Sequence, residues 1–70
     1  MALSELQKIL VDALNLCGVQ PREIVLAGVI LKTEEQQWAM VDYLEPLLNN
    51  PPSSAVIMAK ANEIAAAIRD

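Results

Sequence analysis

The chain has 70 residues, 54% apolar and 20% charged, with no histidine or phenylalanine, one cysteine (Cys17) and two aromatics, Trp38 and Tyr43. A chain this short buries only about 60% of the surface it exposes when unfolded, so this apolar share exceeds what one small core hides and points to a surface that meets a partner. The net charge is −4, and the five bases Lys8, Arg22, Lys32, Lys60 and Arg69 are scattered; phosphate backbones and anionic lipid surfaces need clustered cations, so both are disfavoured as partners.

The first of four segments opens with Ser4 and Gln7 at capping-box spacing. Leu3, Leu6, Leu10, Ala13, Leu14 and Cys17 then recur at three- and four-residue intervals, one face of a helix. Lys8, Asp12 and Asn15 take the other side, while Ile9, Val11 and Leu16 widen the apolar stripe. Gly18 can enter the left-handed conformation that ends a helix, with Val19 placed against Leu14.

Pro21 suits the first turn of the second segment, because its missing N–H would be unpaired there anyway. The run Ile24–Leu31 is apolar on every side and rich in β-branched residues, so its composition also suits a buried strand. A helix is expected, because no other segment offers a strand partner and Pro21 with Glu23 makes a good helix start. Gly28 costs about 1 kcal/mol against alanine inside a helix, which predicts a close neighbouring backbone. A helix apolar all round is expected at the centre of the fold or of an oligomer.

Thr33 and Gln36 repeat the capping box, and Glu34 and Glu35 sit in the first turn, where the helix dipole favours acids. Val41, Leu44 and Leu48, with Trp38, Met40 and Leu47 beside them, form the expected inward face. Pro46 predicts a kink or an end near Glu45. Residues Asn49–Ser54 make the one clear loop, with Asn50 or Ser53 available to cap the last helix. There Ile57, Ala61, Ile64 and Ile68 trace a core stripe, and Lys60, Asn62, Glu63 and Arg69 fall outside it. Ala55, Ala59, Ala61, Ala65, Ala66 and Ala67 make this helix thin enough for close approach. The reading is a single all-α domain over residues 1–70, a compact four-helix arrangement with short connections.

Material for chemistry is sparse. Cys17 falls near a helix C-terminus on the apolar face, with no histidine to activate it, so a structural thiol is expected rather than a nucleophile. One cysteine without histidine cannot build a zinc site, and Glu34, Glu35, Asp42 and Glu45 lack the ligand pattern of a calcium loop and read as a solvated acidic face. No catalytic residue, metal, cofactor or small-molecule substrate is expected, and the protein is read as a non-enzyme. The longest apolar run has eight residues, against the roughly 20 needed to span a bilayer. With no basic stretch in Met1–Glu5 and no possible internal disulfide, a cytoplasmic location is expected.

Residues Leu14–Ile24 resemble the corner of a helix-turn-helix: a helix ends at Gly18, an apolar residue follows, and a second helix begins. The outward positions of that second helix would include Val25, Leu26 and Val29, leaving Gln20 and Arg22 alone to read bases. Trp38 has two readings, a core filler or a binding anchor, and its exposure decides between them. The expectation is a helical protein-interaction module, self-associating as a dimer or docking on another protein through the second or fourth helix. Val25, Leu26, Val29, Trp38, Ile57 and Ala61 are its candidate surface. The alternatives are a helix-turn-helix regulator acting on DNA and an acidic inhibitor of a nucleic-acid-handling protein.

Overall fold

Each helix begins at a cap or a proline that the sequence supplies. The structure, a computed structural model, describes residues 4–68; Leu3 and Arg69, assigned above to the first and last helices, lie outside them. Helix α1 spans Glu5–Leu16. Its box is reciprocal: Ser4 Oγ accepts the Gln7 N–H at 3.2 Å, and Gln7 Oε1 accepts the Ser4 N–H at 2.9 Å. The helix stops at Gly18, whose φ of 81° lies in the left-handed region. There the Gly18 N–H donates to the Asn15 carbonyl at 3.0 Å and the Val19 N–H to that of Leu14 at 3.1 Å. These are the two bonds of a Schellman cap, and both Leu14 and Val19 are buried.

The second segment is a helix and not a strand, α2, over Pro21–Ile30. Helix α3 runs from Glu34 to Leu44 behind the Thr33–Gln36 box. It gives way to a single 3₁₀ turn over Glu45–Leu47, so the α-helix ends where Pro46 requires. Helix α4 spans Ser54–Ala67 and is capped by Ser53, not Asn50; Ser53 Oγ accepts the Val56 N–H at 3.4 Å. Among the described residues there is no strand, and the all-α four-helix reading holds. None of the described helices is long and apolar enough to cross a membrane.

Packing follows the stripes. Helix α1 lies most extensively against α3, α4 packs on α3 and α2, and α2 leans on α1 and α4. Leu6, Leu10 and Leu14 from α1 share one core with Met40, Val41 and Leu44 from α3 and Ile57, Met58, Ala61 and Ile64 from α4. The radius of gyration is 10.9 Å, against about 11 Å for a well-packed domain of this length. Apolar surface left outside is therefore not the result of loose folding.

Three expectations about packing need correction. Helix α2 is not at the centre of the fold, the first of the two places expected for it: Ala27 is its only fully buried residue, with Ile24 and Ile30 half-buried. It rests by one side on α1 and α4, and nothing packs on the other. Gly28 has no close neighbour either; a Cβ built there would meet no atom within 4 Å. In α4, Ala61 alone among the alanines is fully buried and allows close packing, while Ala55, Ala59, Ala66 and Ala67 face solvent.

Two buried glutamines, unexpected from the apolar pattern, join the helices. Gln36 Oε1 accepts the N–H groups of Lys32 at 2.7 Å and Thr33 at 3.0 Å, while its Nε2 donates to the Ile68 carbonyl at the end of α4. Gln37 Nε2 donates to the buried Leu31 carbonyl at 3.0 Å, closing the α2–α3 turn. Both side chains are satisfied, so they brace the fold without leaving a buried polar atom unpaired.

Candidate interaction surface

Along α2, about 3.6 residues per turn sets Val25 and Val29 opposite Ala27. Ala27 faces the core with no exposure, and the other side carries Val25 at 68%, Leu26 at 51% and Val29 at 60% exposure. Arg22 begins this outward row, and Arg22, Val25, Leu26 and Val29 have the spacing of one helix face. Three of the six candidate surface residues are thus brought together on one exposed stripe.

Ile57 and Ala61 do not join them. Both are fully buried, because the stripe they share with Ile64 is the side of α4 that packs into the core. They belong to the folding face and are withdrawn from the candidate surface. Trp38 moves in the opposite sense. Placed above beside the inward residues of α3, it is 48% exposed, since Gln36, Gln37, Met40, Val41 and Leu44 occupy the buried side.

Between α1 and α2 runs a half-open groove of about 620 Å³, within the roughly 300–1,000 Å³ range of ligand and anchor pockets. Its walls include Leu10, Val11 and Leu14 from α1 and Ile24, Val25 and Gly28 from α2. Val25 belongs to both the groove and the exposed stripe, so the two form one continuous surface. A side chain at position 28 would project into it. Ile9 and Leu16 also prove exposed; with Glu45 and Leu48 they line a shallower depression of about 450 Å³ on the α3 flank of α1. Their helical phase, between the buried stripe and Lys8, was the signal available for this.

The described residues assemble little else. Cys17 is buried in the core, and that burial pushes its thiol pKa above the ordinary value by disfavouring the thiolate. Glu34, Glu35, Asp42 and Glu45 are exposed, and among the described residues no three acidic, cysteine or histidine side chains converge to hold a metal ion. Comparison with known proteins returns no matching family model, no matching curated protein and no matching solved structure.

Proposed function

We propose that this protein is a non-enzymatic helical interaction module that self-associates through the outward face of α2 and the adjoining α1–α2 groove. One observation carries the reading. A helix of ten residues turns Val25, Leu26 and Val29 to solvent in a molecule whose radius of gyration is that of a compact chain of its length. Removing each from water is worth about 1–2 kcal/mol at its present exposure. Two copies paired face to face double that gain, against an association cost of about 4–15 kcal/mol. The stripe alone supports a weak dimer, and filling the groove as well strengthens it.

Sedimentation equilibrium tests this. The wild-type mass is expected to rise from 7.6 kDa towards twice that value as concentration increases, and Val25→Glu with Val29→Glu should hold the protein monomeric with its helix content unchanged. A wild-type monomer at every concentration would refute self-association. The DNA-binding alternative has less support. The Gly18 corner has suitable geometry, but the outward side of α2 presents aliphatic groups, and base edges are read chiefly through hydrogen bonds.

A further inference from the structure

Helix α3 has a second unpartnered face. Trp38 is half exposed there, and Glu34 and Glu35 precede it by four and three residues, with Asp42 four residues and Glu45 seven residues after it, all exposed. At helical spacing these carboxylates surround the indole on the outward side. No lysine or arginine lies within α3. The single ion pair among the described residues, Lys60 with Glu63 at 3.5 Å, is elsewhere, with Lys60 lying over the Tyr43 ring. The face therefore combines one large aromatic anchor with four negative charges that the described residues do not neutralise.

We propose that this face docks a cationic segment of a partner protein, an extended stretch bearing arginine or lysine, with Trp38 as its anchor. Charge complementarity selects the occupant. The carboxylates do not converge, so no point ion can be shared among them. They are instead spread along roughly 16 Å of helix from Glu34 to Glu45, about the length of five extended residues. Alternate cations of such a segment reach carboxylates above and below the indole, and one guanidinium or ammonium stacks on its face. A second copy is a poor occupant in the symmetric sense, because pairing α3 with α3 opposes like charges. The proposal stands apart from the α2 stripe, where Arg22 is the one exposed charged residue of the helix.

Trp38 is the chain's one tryptophan, so its emission reports directly on this face. Titration with an eight-residue peptide of alternating arginine and alanine should shift that emission saturably. Binding should weaken several-fold between 50 and 200 mM salt, because added ions screen exposed charge pairs. Measured by calorimetry, Trp38→Ala should weaken binding on the order of tenfold, as for an aromatic anchor, and Glu35→Gln with Asp42→Asn should weaken it several-fold. The monomeric Val25→Glu, Val29→Glu protein should bind the peptide as the wild type does. The proposal is overturned if the emission does not saturate at millimolar peptide, or if Trp38→Ala binds unchanged. It is equally overturned if spermine matches the peptide in affinity and in response to Trp38→Ala, which marks simple screening. Loss of self-association in Trp38→Ala would assign the face to a second copy instead.

Discussion

At Gly18 the backbone has a positive φ of 81°, and at Gly28 it is an ordinary helix turned to open space. A methyl group should therefore act with opposite sign at the two sites. Gly18→Ala forces a side chain into the left-handed region and is expected to cost about 1 kcal/mol or more. Gly28→Ala gains helix propensity without a clash and should stabilise by up to about 1 kcal/mol, while placing a methyl in the groove and weakening self-association. Urea midpoints read the first effect, and the concentration dependence of mass reads the second. Cys17 supplies a pH test. Its native pKa is raised by burial, so as pH climbs above about 8.5 the unfolded thiol loses its proton first. The unfolded state then binds fewer protons and stability falls. This contribution is complete below that pH and is lost through the alkaline range. Between pH 7 and 10, the urea midpoint of Cys17→Ala should decline less than that of wild type; equal declines would remove the thiol as a cause.

At the level of elements, what was legible depended on whether the deciding interaction is local. The Ser4–Gln7 and Thr33–Gln36 boxes, the Gly18 stop and the Pro46 break act within a few residues, and all formed where the spacing implied. The α1 stripe was legible because its polar residues mark the outside. Helix α2 has no such contrast: with valines, leucine and isoleucines around its circumference, only the neighbours decide which side is buried, and they lie in α1 and α4. Ile57 and Ala61 show the same limit from the other direction, since their core spacing could be read but was also offered as a surface. The burial of Gln36 and Gln37 was not legible, because the carbonyls their amides bond, those of Ile68 and Leu31, are set by tertiary geometry and by the turn. Gln37→Leu leaves the buried Leu31 carbonyl unpaired and is expected to cost about 1–3 kcal/mol. Gln7→Ala, which breaks a box exposed to water, should cost under about 1 kcal/mol in the same urea titration.

The whole molecule exposes 4660 Å², against about 4,300 Å² expected for a folded monomer of its mass. A stable dimer of standard size covers about 800 Å² on each partner, close to a sixth of this surface. An area that large cannot come from three aliphatic side chains alone, and so the α1–α2 groove has to be part of any lasting interface. Charge then separates the two proposed surfaces. Each copy carries −4, and added salt should strengthen self-association by screening that repulsion. The same salt should weaken a cationic segment at Trp38. Opposite slopes would assign the events to different faces, whereas parallel slopes would argue for one shared site.

The peripheral seat of α2 has a consequence for how this fold breathes. With Ala27 as its only fully buried residue, the helix contributes fewer buried side chains than α1, α3 or α4, and buried contacts set the cost of local opening. Its amides are therefore expected to exchange with solvent hydrogen at a lower free energy than those of α1 and α3, which native-state hydrogen exchange would measure. Pairing through α2 would then add its binding free energy to the order of that helix, in proportion to protein concentration. Recognition and the completion of folding would be a single event in this part of the molecule.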